Sequence, residues 1–494
     1  MENEFIAGLD IGTTKIACLI GQRAEEGKIK ILGYSVTNSV GVENGVVRNI
    51  GFTSESVKKA VEAAAMQANV KVREVYVGIA GQHIKSIPSQ GSIIVPPEHS
   101  MITQQDVDRL IDEQNLIMLG PGEEIIHIFP QSYYVDNSIL SNDIPPVGVP
   151  GKQLKADFHI VTGNSANIRN IIDSVRMAGY KVKDLVLEPI ASSCAVLDSL
   201  SREAGVALVD IGGGTTDIAI FYDGIIRHTS VIALAGQAIT NDIRRSCNIL
   251  PNQAESLKVK YGSCLPTNER DGDVVAVPGI KNQAPREISL KTLANIIKTR
   301  VEQILEQVAY EIGTSGFDGK KLQAGLVLTG GGANMKYIKE LASMITCMDT
   351  RIGYPNEHLL VDSDADLAHP KYATGVGLVL YGIEQEEQKR ARQSASFAPI
   401  DNAESEKHVE EEIVDKPKVD PNDPFSVLDG IPQPPKSPEP PVEPPVVNPV
   451  INPVEETPTV NEKPKQPAPP KPQKPGIGSK IADWFGKIMD EEDE

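Results

Sequence analysis

Residues Ala207–Phe221 read ALVDIGGGTTDIAIF. An apolar run, a turn made of Asp, Gly and Thr, and a second apolar run predict a strand, a glycine-rich hairpin and a returning strand. Backbone N–H groups and hydroxyls at such a tip suit an anion, a phosphate above all. The phrase recurs near the N-terminus as AGLDIGTTKIACLI, Ala7–Ile20. Laid on the first, it pairs Asp10 with Asp210, Gly12 with Gly212, Thr13-Thr14 with Thr215-Thr216, and Ile16-Ala17 with Ile218-Ala219. Either copy alone reads equally well as a plain tight turn. Both together, each with its acid in the same place, point to two related halves that lend one hairpin apiece to a shared ligand.

Composition bounds the rest. A chain of 494 residues has room for about two to four domains. Its 48 Lys and Arg stand against 67 Asp and Glu, a net charge of -19, which argues against non-specific binding to nucleic acid. Five cysteines without a C-x-x-C pair read as reduced thiols of a cytosolic protein, neither a disulfide framework nor a metal site. His83, His99 and His127 lack ligand-like spacing and are assigned no metal. The start, MENEFIAGLD, enters a strand with no signal-peptide pattern, and no run of about 18 apolar residues spans a membrane. Any membrane contact would be made from the surface.

Taken in order, FIAGLDI, KIACLIG and KIKILGYSV predict an antiparallel meander, followed by a helix capped by Thr53 and a buried strand in VREVYVGIAG. The texture changes between 83 and 157, where short β-like pieces flank a helix over Thr103–Leu116, as in a small inserted α+β module. FHIVTG is expected to reopen the main fold; a helix over Ser165–Gly179 and a strand-to-helix junction at Glu188-Pro189 follow it. Beyond the central hairpin come helices in Gly236–Tyr261 and Ser289–Ile312, a strand entering a triple-Gly turn in Ala324–Met335, and a small-residue helix in His369–Gly382. The implied divisions are 1–82, 83–157, 158–205 and 206–384, then a linker over 385–475 and a terminal segment over 476–494.

Of the chain's 36 prolines, 21 fall between 399 and 475, a composition that predicts a disordered tether. Within it, DPFSVLDG is an apolar island that reads as a chance cluster or a short peptide motif. In the last segment, steps of about 100° put Ile477, Ile481, Trp484, Phe485, Ile488 and Met489 on one helical face. Lys480 and Lys487 lie opposite, within reach of lipid headgroups. An amphipathic helix that lies on an anionic membrane is the expectation; docking onto a protein core is the alternative, and the acidic end DEEDE weighs against lipid.

Three Gly-rich turns follow buried strands: Asp10–Lys15, Asp210–Thr216 and Gly330–Asn334. Glycine lets phosphate oxygens approach the backbone, Lys15 supplies a charge for the β- or γ-phosphate, and Asp10 with Asp210 suits a hydrated Mg²⁺. Mg-ATP in an interdomain cleft is the ligand implied.

The set DIGTTK, DIGGGTTD and LTGGGAN resembles the actin/Hsp70/sugar-kinase-like ATPase superfamily, an α/β fold of two halves. VYVGIAGQHI, AGQAITNDI, AESLKVKYG and LVLTGGGANMKYI narrow the resemblance to the FtsA family of bacterial cell-division proteins. The resemblance implies an inserted 1C (SHS2-like) subdomain, a flexible linker and a terminal amphipathic membrane helix. It also implies nucleotide contacts from Asp10, Gly12, Thr13, Thr14, Lys15, Asp210, Gly212, Gly213, Gly214, Thr215 and Thr216. Gly236, Glu255 and Lys258 would border ribose and adenine, with Gly330, Gly331, Gly332 and Asn334 completing the nucleoside pocket. Glu188 matches a water-orienting Glu of the related MreB filaments, though it equally suits a helix cap. Members of the family polymerise head to tail on the cytoplasmic face of the inner membrane at the septum. They bind the FtsZ C-terminal peptide, a surface that would include Arg300, and other division proteins through the insert. A slow ATPase at most is expected. Rival readings are a sugar- or acetate-type kinase, which lacks a visible carboxylate base here, a chaperone ATPase, and a pilus-assembly adaptor, which would lack the terminal helix.

Overall fold

The structure, a computed structural model, describes residues 5–396 except 25–26, 142–143, 280–283, 318, 320 and 361–363. The first half opens with β1 (Ile6–Ile11), β2 (Lys15–Arg23) and β3 (Ile29–Asn38) as the expected antiparallel meander, then a short pair, β4 (Val42–Glu43) and β5 (Val46–Val47). Helix α1 (Ile50–Ala68) begins one turn earlier than its sequence suggested. Asn49 caps it, accepting from the Phe52 N–H, while Thr53 is buried inside the helix and bonds the Val40 carbonyl. Asn is as strong a cap as Thr, and here only Asn49 has the extended backbone a cap needs. Strand β6 (Glu74–Ile79) then runs parallel to β1.

An inserted module follows: β7 (Lys85–Ile94), α2 (Gln104–Gln114), β8 (Glu123–Val135), β9 (Ser138–Ser141) and β10 (Gln153–Asn164), in the sheet order β7-β10-β8-β9. Phe158–Gly163, read as the return to the main fold, lies within β10 and pairs with both β7 and β8. All six residues are buried: Phe158 and Ile160 pack with Leu110 in the module's own core, while Val161 joins the core of the first half. The main fold resumes at α3 (Ser165–Met177), β11 (Lys181–Leu187) and α4 (Glu188–Val196).

After α5 (Ser199–Ala204) the second half repeats the first: β12 (Val206–Ile211), β13 (Thr216–Tyr222) and β14 (Ile225–Ile232) form a meander. Helices α6 (Gly236–Cys247) and α7 (Pro251–Tyr261), hairpin β15 (Val274–Val277) with β16 (Arg286–Ser289), and α8 (Leu290–Thr314) lead to β17 (Leu326–Thr329). Then come α9 (Ile338–Thr346), β18 (Thr350–Ile352) and α10 (Ala373–Ser396). Helix α10 carries on through residues 385–396, expected to begin the linker, because EQEEQKRARQSAS contains no proline or glycine to stop a helix.

The two main sheets, β3-β2-β1-β6-β11 and β14-β13-β12-β17-β18, have the same order, with antiparallel meanders and parallel later strands in both. Each is buried on two faces, which is why β1 and β12 read as unbroken apolar runs. Outer faces pack on α1 and α3 in one half, and on α6, α8 and α9 in the other. Between the sheets lies a shared core in which α4 and α10 meet Leu19, Leu208 and Phe221.

Candidate functional site

Side chains alternate along a strand, so the residues of β1 and β12 that share a face with Ile6 and Val206 look toward α4 and α10. Asp10 and Asp210 are the last residues of that row, at the mouth between the halves. Each is followed by a hairpin of one design: Gly12 N–H donates to the Lys15 carbonyl at 3.0 Å, and Gly212 N–H to that of Thr215 at 2.9 Å. Asp10 stands opposite Ala17, and Asp210 opposite Asp217. The hairpins therefore have equal length. Lys15 is the structural counterpart of Thr215, and the pairing of Thr13-Thr14 with Thr215-Thr216 needs a gap that the backbone does not contain.

That register sorts the threonines. Thr216 pairs with Ile211 on the outer face, fully buried, and its hydroxyl donates to the Leu234 carbonyl at 2.7 Å, so it belongs to the core and not to the ligand site. Thr215 donates to Asp217 at 2.9 Å, and Thr13 Oγ1 accepts from the Gly45 N–H at 3.0 Å. The amide N–H groups of Thr13, Thr14, Gly213 and Gly214, at the two tips, have no backbone acceptor among the described residues. Glycine is needed at the second tip for a further reason. A Cβ on Gly213 would strike Thr14, and one on Gly214 would strike Thr13, because the hairpins face each other. Gly330, at φ 83°, turns the third loop so close that a Cβ would strike the Asp210 carboxylate.

Four carboxyl groups surround this mouth. Asp10, Asp210 and Asp217 are 5, 6 and 2 % exposed, and Glu188 is partly buried at the first position of α4. Burial pushes all four above the usual carboxylate range, opposed at Asp10 by Lys15 and at Asp210 by the Ser192 hydrogen bond. Asp217 rises to about 8, from burial first and the Asp210 charge second. Glu188 is driven well up by burial, then by Asp10, Asp217 and Asp210. The neighbouring ammonium is Lys15, 3.7 Å from Asp10, bonded to the Lys371 carbonyl and standing 5.2 Å over the Tyr372 ring. Asp217 Oδ1 is buried with no partner.

A set of acids with an orphaned oxygen and a single lysine fits a bound cation. Among the described residues no three His, Cys, Asp or Glu side chains converge closely enough to ligate a bare ion. Any cation held by these acids would keep part of its water shell. The sequence reading missed Asp217. An acid inside the apolar strand DIAIF was its signal, and the hairpin register supplies its place.

On the other side of the second hairpin, Gly236 and Gln237 at the start of α6 donate to the Gly212 and Gly213 carbonyls at 3.1 and 2.7 Å. Lys258 reaches Glu255 at 2.8 Å, Thr240 at 2.9 Å and the Gly236 carbonyl at 3.0 Å. Gly236, Glu255 and Lys258 are thereby gathered against the hairpin, with Thr240 an unforeseen fourth member bonded to Glu255. In the third loop a Cβ on Gly331 would meet open space, and Asn334 faces His369 at 3.3 Å. Arg300 lies elsewhere: on α8, held by Asp242 of α6 at 2.6 Å. The terminal set, Ile477–Met489, falls outside the described residues.

Residues 207–377 match the family model of the cell division protein FtsA, and residues 81–162 match that of the SHS2 domain inserted in FtsA. The chain is 36 % identical over 384 residues to the FtsA of Pseudomonas aeruginosa, covering 78 % of this chain and 90 % of that one. It is 37 % identical over 378 residues to that of Neisseria meningitidis serogroup B (76 and 90 %) and 34 % identical over 391 residues to that of Escherichia coli strain K12 (78 and 91 %). Among solved structures, a chain of the PilM-PilN type IV pilus biogenesis complex shares the fold at a TM-score of 0.55 and 15 % identity, over 76 % of this chain and 98 % of that one.

Proposed function

The chain belongs to the FtsA family of cell division proteins, with an actin-like fold that carries an inserted SHS2 domain, and from that premise we propose that it is a nucleotide-governed filament former that ties FtsZ to the membrane. Mg-ATP binds between the halves, the bound state holds protomers in a shape that polymerises, and residues 476–494 attach the polymer to the cytoplasmic face of the inner membrane at the septum. FtsZ is captured through its C-terminal peptide near α8, and the inserted module meets other division proteins. The observation that carries this reading is the pair of register-matched hairpins, tip to tip, each with a buried Asp at its base.

In that cleft the tip N–H groups and Lys15 bind phosphate oxygens. Asp10 and Asp210, with Asp217 beside them, would hold Mg²⁺, which when bound would supply the positive charge that lets the carboxyls ionise together. Gly236, Glu255, Lys258 and the third loop border the nucleoside. Glu188, aimed at the same mouth, orients water for slow hydrolysis coupled to assembly. Arg300, locked to Asp242, shapes the α8 surface offered to FtsZ rather than standing free upon it.

Electron microscopy of the purified full chain on an anionic lipid monolayer, with and without Mg-ATP, tests nucleotide, polymer and membrane at once. Filaments on the lipid with Mg-ATP, and none without it, are expected. Protein that binds neither nucleotide nor lipid would overturn the reading.

A further inference from the structure

The chain crosses between its halves twice. It leaves the first sheet through α4, which follows β11 and touches β12 and β13, and it returns through α10, which packs on β1, β2 and β6. These two helices lie against each other so tightly that a Cβ on Gly377 would strike the Ala191 carbonyl. Any change in the angle between the halves must be taken up where they meet.

At that meeting point sit two hydroxyls that the nucleotide reading leaves without a role. Ser192 of α4 donates to Asp210 Oδ2 at 2.7 Å, Thr374 of α10 donates to the same oxygen at 3.2 Å, and the two hydroxyls lie 3.0 Å apart. Ser192 is fully buried and Thr374 is 7 % exposed. One carboxylate oxygen of the second half is thus tied to both crossing helices at once. The other oxygen, Oδ1, faces Gly330 of the third loop. Hydrogen bonds to a carboxylate are short, directional and stronger than neutral ones, so the three groups move together or break a bond in a dry site.

We infer that Ser192 and Thr374 are positioning residues that couple occupancy of the cleft to the angle between the halves, by fastening Asp210 to both hinge helices. When a hydrated cation draws the Asp210 carboxylate, the displacement passes through Ser192 to α4 and through Thr374 to α10, which carry the first sheet. Without the hydroxyls, nucleotide still fills the cleft, but the hinge no longer feels it. The inference rests on Mg-nucleotide binding at Asp210.

Amide hydrogen exchange and nucleotide titration on the full chain test it. In the unaltered protein, Mg-ATP slows exchange along α4 and α10, whereas ATP with a chelator does not. The double variant Ser192→Ala/Thr374→Val, which keeps side-chain volume nearly constant, binds Mg-ATP about tenfold more weakly and Mg-free ADP within about twofold of the unaltered protein. At saturating Mg-ATP its α10 is no longer protected. Thr374→Ser keeps the hydroxyl and retains protection. If the double variant keeps full α10 protection, or loses Mg-dependent and Mg-free binding equally, the hydroxyls only pack and the inference is overturned. If the unaltered protein binds no Mg-ATP, the nucleotide reading fails first and takes the inference with it.

Discussion

At Asp217 a carboxyl stands near the start of a buried strand, opposite Asp210, with one oxygen bonded to Thr215 and the other without a hydrogen-bond partner among the described residues. Its pKa rises to about 8, so the native protein holds this proton far more tightly than the unfolded chain does. Each step in pH between about 4 and about 8 then costs stability, because the unfolded state releases its proton first; below that window the stability is fully present. Asp217→Asn removes the cost. In chelator-treated protein the Tm advantage of the variant is expected to grow from about pH 5 to about pH 8, and a constant offset would show that the carboxyl is not held protonated. Glu188 carries a related expectation for chemistry: Glu188→Ala lowers single-turnover ATP hydrolysis by about 10²-fold, and an unchanged rate removes it from catalysis. Of the groups gathered at the candidate site, the repeat itself marks Asp10 and Asp210 with their glycines in the sequence. It does not mark Asp217, Ser192 and Thr374, since each depends on a register or a helix crossing that no local pattern encodes. Thr216 misled because Gly-Thr-Thr reads as a row of donors, while a strand sends successive side chains to opposite faces.

Among elements, α4 and α10 form a close joint at Gly377 and Ala191. Gly377 lets the helices meet backbone to backbone, and Gly8 of β1 lets Leu378 sit on the first sheet. Gly377→Ala is therefore expected to destabilise the protein by about 1–3 kcal/mol in denaturant titration, with faster amide exchange on α4 as well as α10. A loss confined to α10 would mean that the helices do not share the strain. A second joint links the inserted module to β14: His159 of β10 bonds Thr229 at 3.2 Å and Ser86 at 3.0 Å, and Gln131 donates to the Ile226 carbonyl at 2.8 Å. Burial, then the neighbouring His228, pushes His159 down to about 4, so it is neutral in the fold. This contribution is present above about pH 6.5 and is lost as pH falls toward about 4, when the unfolded chain gains a proton the native ring resists. Exchange on β14 should accelerate over that range, and less so in His159→Asn. Periodicity located these helices and strands well, because amphipathic stripes and glycine turns are local. It misassigned Phe158–Gly163, since an apolar run does not say which of two sheets it joins.

For the whole molecule, the decisive quantity is how strongly one terminal segment holds the membrane. A buried Ile, Phe or Met side chain contributes about 1.5–3 kcal/mol, but a segment that attached at a membrane surface, as proposed, would bury each only in part and lose conformational entropy as it bound. The chain's net charge of -19 opposes approach to an anionic surface, and the terminal DEEDE adds to that locally. A single segment is therefore expected to be a weak, reversible anchor. About 80 residues of sequence lie between the end of α10 and the terminal segment, and on the proposed function neighbouring protomers of a filament would all place their segments on one membrane. Once one is bound the rest bind as if intramolecular, which raises avidity by about 10²–10⁴. Membrane binding should then be steep in Mg-ATP, through the polymer, although the nucleotide touches no lipid. Trp484→Glu puts a charge in the centre of the apolar stripe and should abolish co-sedimentation with anionic liposomes at every protein concentration. Its affinity for a fluorescent ATP analogue should stay within about twofold of the unaltered protein, because about 80 residues of sequence lie between α10 and the terminal segment. Loss of both activities would refute a separable anchor; retention of liposome binding would move the membrane contact off the terminal segment altogether.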